Sequence, residues 1–169
     1  TYDDEAVRKP DTPYGDPWQM INVFDGNEET RVVCEGYSKA FQYLCDLSSF
    51  EDEKIACYTV TGDMRPVGSA EPGPHMWNIA TMENGKNYLV DTTNYDALKE
   101  TNGKEYLFLI GADSGNAEEG YVFSAANMQI SYAYDPDQLD MYGDILTIAD
   151  SDYKPKIAPT FNQYPAPKA

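Results

Sequence analysis

The sequence predicts an α+β fold, in which a helix is followed by a run of short strands. Three stretches carry that reading. From Cys34 to Leu47 the residues Tyr37, Ala40, Phe41, Leu44 and Cys45 recur at i, i+3, i+4, i+7 and i+8, the stripe of an amphipathic helix. Lys39, Gln42 and Asp46 fall off that stripe. Ile55 to Thr61 is β-branched and aromatic and reads as a strand ended by Gly62. Residues 75–82 and 87–91 flank Asn84-Gly85, a strong hairpin signal that sets the two arms antiparallel.

The remaining segments fit around these. Residues 1–30 are dense in Pro, Gly, Asp and Asn and read as turns, with Trp18-Gln19-Met20-Ile21 the one compact apolar patch. Ser48 to Glu53 is a solvated connection, and Arg65 to Pro74 is a Gly- and Pro-rich loop that delivers His75 to its strand. Asn94 to Lys104 reads as loop. Tyr106 to Ile110 is a short strand or a helical turn, and local pattern does not choose between them. Tyr121–Phe123 and Ile130–Tyr134 read as extended. From Lys154 the chain holds Pro155, Pro159, Pro165 and Pro167 and reads as an extended tail over 154–169. There is no internal repeat.

Length and charge bound the function. At 169 residues the chain is long enough for one real core, and 41% hydrophobic content is that of an ordinary globular protein. No apolar run approaches the roughly 18 residues of a membrane span. The chain opens in charged residues with no signal-like segment, so any leader or anchor is expected to have been removed or to lie outside this sequence. Asp and Glu outnumber Lys and Arg 29 to 12, for a net charge of −17. Such a chain repels phosphate backbones and anionic lipid, which argues against nucleic-acid and membrane-surface partners. Three cysteines leave at least one thiol free. Cys45 and Cys57 either pair or stay as two buried thiols. Fourteen tyrosines, with many Asn, Thr and Asp, lean towards an extracellular or cell-surface setting.

The chemistry begins at Cys34. It sits in the first turn of the predicted helix, where unpaired N–H groups and the helix dipole favour an anion. A thiolate is such an anion and is the nucleophilic form of cysteine. The dipole supplies only about 0.3–1 kcal/mol, whereas a fully activated thiolate needs about 6 kcal/mol, so a cation must supply the rest. The one histidine is His75. In the hairpin, Trp77 and Asp91 stand about equally far from the turn with His75 just beyond, so a carboxylate comes alongside the imidazole. Cys34, His75 and Asp91 then form a nucleophile, acid–base and orienter set. Each also has a structural reading: a core cysteine, a structural or surface histidine, and an aspartate that caps or turns the chain after a strand. One His with three scattered Cys does not supply a zinc site, Asp135-Pro-Asp137-Gln-Leu-Asp140 lacks the calcium-loop spacing, and no phosphate-binding glycine motif is present. No cofactor is expected.

Three motifs add a resemblance. Val33-Cys34-Glu-Gly36-Tyr37-Ser38-Lys-Ala40, then His75-Met76-Trp77-Asn78, then Tyr88-Leu-Val90-Asp91-Thr-Thr93 resemble, in order, V-C-x-G-Y-[AS]-x-A, H-x-W-N and Y-x-V-D-x-T of the bacterial transglutaminase-like superfamily. The similarity covers residues 32–94 and is looser from there to Tyr153. It implies a papain/transglutaminase-like core over residues 1–153, with the nucleophile helix packed on an antiparallel β-sheet that carries His and Asp. It also implies that Cys34 attacks an amide carbonyl and that His75 protonates the leaving group. A thioester results, resolved by water or an amine. One oxyanion donor would be the Cys34 N–H, and a second would come from upstream: Gln19, Trp18 or Tyr14, of which Gln19 is chosen. Trp77 would cover the imidazole or line the substrate site. The expected activity is thiol-dependent cleavage or acyl transfer on peptide or protein substrates, hydrolysis ahead of cross-linking. The alternative is a non-catalytic cell-surface or cell-wall binding module on the same fold, and a lesser one is a fragment of a larger surface protein. The resemblance departs upstream of Cys34, where relatives carry helices and this sequence reads as loop. The missing helices are expected to lie outside the chain or to come from another.

Overall fold

The computed structural model describes residues 2–3, 14–27, 29–68, 71–98 and 106–155. Its elements are α1 (Pro17–Val23), α2 (Cys34–Leu47), β1 (Ala56–Pro66), β2 (Gly73–Thr81), β3 (Asn87–Val90), α3 (Thr92–Leu98), β4 (Phe108–Ile110), β5 (Ser114–Asn116), β6 (Gly120–Ala125), β7 (Met128–Tyr134), α4 (Pro136–Tyr142) and a 3₁₀ turn at Gly143–Leu146. The strands form one curled antiparallel sheet in the order β4-β3-β2-β1-β7-β6-β5. The fold is α+β.

The predicted hairpin forms: Thr81 pairs with Asn87 and Asn78 with Val90, around a turn in which Gly85 takes φ 72°. That register puts Asp91 level with Trp77, one residue past the end of β3. Residues 75–80 of β2 are all buried, because both faces of the strand are covered. Alternation sends Trp77 and Ile79 into the main core with Val60, Leu89, Leu107, Phe123, Tyr132 and Leu146. It sends Met76, Asn78 and Ala80 to the opposite face, where α2 packs.

Polar pins fix α2 on that face. The Ser38 hydroxyl donates to the Met76 carbonyl at 2.7 Å, and the Asn78 amide donates to the Ser38 carbonyl at 3.0 Å and to Thr59 Oγ1 at 3.1 Å. Buried polar groups stay inside only when paired, so Ser38 can be among the most buried residues of the helix. The inward line therefore runs Cys34, Ser38, Phe41, Cys45. Leu44, expected on the buried stripe, is 50% exposed. Two glycines admit close neighbours. A Cβ on Gly36 would lie 2.6 Å from the Gln19 carbonyl, so α1 can rest directly on the first turn of α2. A Cβ on Gly62 would overlap the Ala133 carbonyl and touch the Trp77 ring.

Three sequence expectations are corrected. Residues 17–23 are helix rather than loop: the Asp16 carboxylate caps the Trp18 N–H at 3.0 Å, and Pro17 occupies the first helical position. Residues 92–98 are also helical, started by Asp91, so the loop read from Asn94 is wrong there; residues 99–104 lie outside the described residues. β1 passes through Gly62 and ends at Pro66. Asp135-Pro136, given no element from sequence, opens α4, with the Asp135 carboxylate accepting from the Thr61 hydroxyl at 2.6 Å. Tyr106–Ile110 resolves as a short strand at Phe108–Ile110, and beyond Pro155 the proline-rich tail lies outside the described residues. No helix among the described residues is long and apolar enough to cross a membrane.

Because the Gly62 contacts are backbone and a buried ring, Gly62→Ala is expected to cost at least about 2 kcal/mol of folding stability. Urea denaturation checks this, and Gly68→Ala, in open space though at φ 91°, should cost less.

Candidate active site

Cys34 opens α2 with 5% of its surface exposed. The residue before it, Val33, has no side-chain cap to offer, and its N–H donates instead to Gln19 Oε1 at 2.9 Å. That bond turns the Gln19 amide towards the start of the helix. Glu35, in the same first turn, is 2% exposed and ties the chain upstream: it accepts from the Gly15 N–H at 2.6 Å and from Lys39 Nζ. Tyr14 is thereby brought close to Cys34. Burial, then the negative charges of Cys34, Asp135 and Glu35, push the Tyr14 phenol well above its ordinary range, so it remains a neutral donor.

His75 stands on β2 with its ring stacked on Trp77 at 6.1 Å between centroids and 16° between planes. Its Nε2 lies 2.8 Å from Asp91 Oδ2, and the Cys34 side chain lies close enough to the ring to raise its pKa. With Nε2 committed to the carboxylate, Nδ1 is the nitrogen left for sulfur. Cys34, His75 and Asp91 therefore meet, although 41 and 57 residues separate Cys34 from the other two in sequence (75 − 34 and 91 − 34).

Asp91 is fully buried. Its Oδ2 accepts from His75, from the Tyr132 hydroxyl at 2.7 Å and from Asn94 Nδ2 at 2.7 Å, and its Oδ1 from the Asn94 N–H at 3.0 Å. Burial opposes ionisation, yet the imidazolium and these donors outweigh it and hold the carboxyl below its usual range. For His75 burial likewise favours the neutral ring, but the charge and hydrogen bond of Asp91, with a smaller share from Cys34, lift its pKa to about 10. An imidazolium beside sulfur is the arrangement that favours a thiolate. Tyr132 is pushed far above its usual range by burial and by Asp91, and so stays a donor.

The other expected site residues divide. Gln19 lies against the first turn of α2. The Trp18 side chain points largely into solvent, 62% exposed, and its backbone N–H donates to Asp16. Trp77 has no exposed surface: it offers nothing to a substrate and instead covers the imidazole. Sequence reasoning missed Tyr132 and Asn94. Asn94 had a signal, since Asp followed three residues later by a polar side chain at a helix start is a capping pattern. Tyr132 had none. Among the described residues no group of three or more His, Cys, Asp and Glu side chains is placed to hold a metal ion.

No family model matches the chain, and no curated protein and no solved structure matches it either.

Two outcomes follow from the carboxylate and the ring. Tyr132→Phe leaves a buried carboxylate one donor short and is expected to cost about 1–3 kcal/mol in denaturant unfolding. His75 is held as a cation more tightly folded than unfolded, 6.5 rising to about 10. Its contribution to stability is therefore complete below about pH 6.5 and disappears progressively as pH rises to about 10. The thermal midpoint of the wild type, less that of His75→Gln, should shrink across that window.

Proposed function

We propose that the chain is a thiol-dependent amide-cleaving or acyl-transfer enzyme of the papain- or transglutaminase-like kind, working on peptide or protein substrates. The observation that supports it is the placing of the His75 ring between the Cys34 side chain and a buried Asp91, to which its Nε2 is hydrogen-bonded at 2.8 Å. A purely structural cluster has no need of a cationic ring set between a sulfur and a carboxylate.

In this reading the Cys34 sulfur attacks the substrate carbonyl and a C–S bond forms. Negative charge collects on the former carbonyl oxygen, within reach of the Cys34 N–H, which has no partner inside the helix. The NH₂ of Gln19 is the second donor, its oxygen engaged by the Val33 N–H. His75 Nδ1–H then protonates the leaving nitrogen as the C–N bond breaks, giving the thioester. Water, or an amine, loses a proton to the now neutral ring and attacks the thioester, restoring the thiolate and releasing the acid or the new amide. Asp91 keeps Nε2 protonated throughout, and Trp77 keeps water from the ring face. Hydrolysis ranks ahead of cross-linking because water is the default second nucleophile.

The burial of Cys34 and His75, at 5% and 3%, favours a second reading in which the fold is a non-catalytic surface-binding module. Alkylation separates the two. At pH 6 iodoacetamide should label Cys34 far faster than Cys45 or Cys57, and the preference should vanish in His75→Gln. Slow, equal labelling of all three would sink the enzymatic reading. On a peptide amide substrate Cys34→Ala should abolish turnover with folding nearly intact, and Asp91→Asn should lower kcat by about 10²-fold or more.

A further inference from the structure

The other two cysteines meet at a place the proposed chemistry does not use. Cys45 stands two turns beyond Ser38 on the inward line of α2, and Cys57 two residues before Thr59 on the face of β1 that the helix covers. Ser38 and Thr59 already touch, through the Thr59 hydroxyl and the Ser38 carbonyl at 3.5 Å. Asn78, whose amide bonds both of them, also reaches the Cys57 thiol. With Cys34 beside His75 at the level of Gly62, and Ser38 at the level of Thr59, α2 runs antiparallel to β1. Running the helix about 10 Å onward from Ser38 and the strand about 7 Å back from Thr59 therefore brings the two thiols side by side, close enough for each to shift the other's pKa. Both are free thiols here, Cys45 half-buried and Cys57 buried.

We propose that Cys45 and Cys57 form a redox-active dithiol that closes into a disulfide by exchange with a small-molecule disulfide such as oxidised glutathione, riveting the nucleophile helix to β1. The half-buried Cys45 attacks first. Its thiolate forms a bond to one glutathione sulfur, the glutathione S–S bond breaks, and one glutathione thiolate leaves. The Cys57 thiolate then attacks the Cys45 sulfur of the mixed disulfide and expels the second glutathione. Two protein thiols are oxidised, one glutathione disulfide is reduced to two thiols, and the two protons pass to the departing glutathiones. The neighbouring Cys57 thiol lowers the Cys45 pKa, which suits Cys45 to the attacking role, whereas Cys57 is raised by Cys45 and by burial. Cys34, at the far end of the same helix, is left as the single free thiol.

The test uses the full chain as Cys34→Ala, so that Cys45 and Cys57 are its only thiols. Folded protein is incubated with oxidised glutathione at pH 8, quenched in acid, and read by intact mass and by thiol titration in denaturant. The expected result is loss of two hydrogens from the mass, loss of both titratable thiols, and a Cys45–Cys57 cross-linked peptide that dithiothreitol removes. In Cys34→Ala with Cys57→Ser the exchange should stall as a glutathione adduct on Cys45. A stable glutathione adduct in the parent, or two thiols still titrating after the same buffer has oxidised dithiothreitol, would overturn the proposal.

Discussion

Burying an ionised carboxylate is among the costliest things a fold can do, and Asp91 is buried completely. The cost is tolerable only because four contacts converge on its two oxygens: His75, Tyr132 and both donors of Asn94. Those partners come from β2, β7 and α3, so the carboxylate is where the sheet, its neighbouring strand and the following helix are tied. The same constraint acts on the ring: beside this carboxylate His75 is held as a cation. Fold and site are therefore one arrangement: a change in the β2–β3 register by one residue would turn Asp91 away from His75.

The residues between the reactive ones have mechanical reasons for being there. Gly36 lets α1 lie on α2, which places Gln19 at the helix start. Ser38 and Asn78 lock the helix to the sheet with paired polar groups that specify one seating, where an apolar contact would tolerate sliding. Gly62 leaves room for the Trp77 ring that supports the imidazole. Each acts at one remove from the sulfur, by setting the angle and depth at which it meets the ring.

Much of this was legible in the sequence because it is local. The helix from Cys34 to Leu47 and the Asn84-Gly85 hairpin follow from periodicity and turn chemistry, and the hairpin alone brings Asp91 level with Trp77. The short helices α1, α3 and α4 were lost among turn-like residues. Yet Asp16-Pro17 and Asp135-Pro136 each begin a helix with an acidic residue and a proline at its first position, and Asp91 begins α3. What sequence could not supply was non-local. Tyr132, 41 residues away, reaches Asp91 only because β7 pairs with β1, next to β2 in the sheet. The helix face was misjudged at Leu44 for a related reason: hydrophobicity points one way, and a buried, fully paired serine points another.

The outer rims of the sheet carry a consequence for how the chain behaves in company. One rim is β4, three residues long, and the segment after the 3₁₀ turn lies along it: Ala112 N–H donates to the Ala149 carbonyl at 2.8 Å, and Tyr153 N–H to the Leu109 carbonyl at 2.9 Å. The other rim is β5, also three residues, with Gly115 at its centre in a conformation few residues adopt. A long bare rim recruits further strands from neighbouring molecules and seeds fibres. Here one rim is stitched shut and the other is too brief to template a newcomer, so sheet extension gives this acidic protein little route to self-assembly.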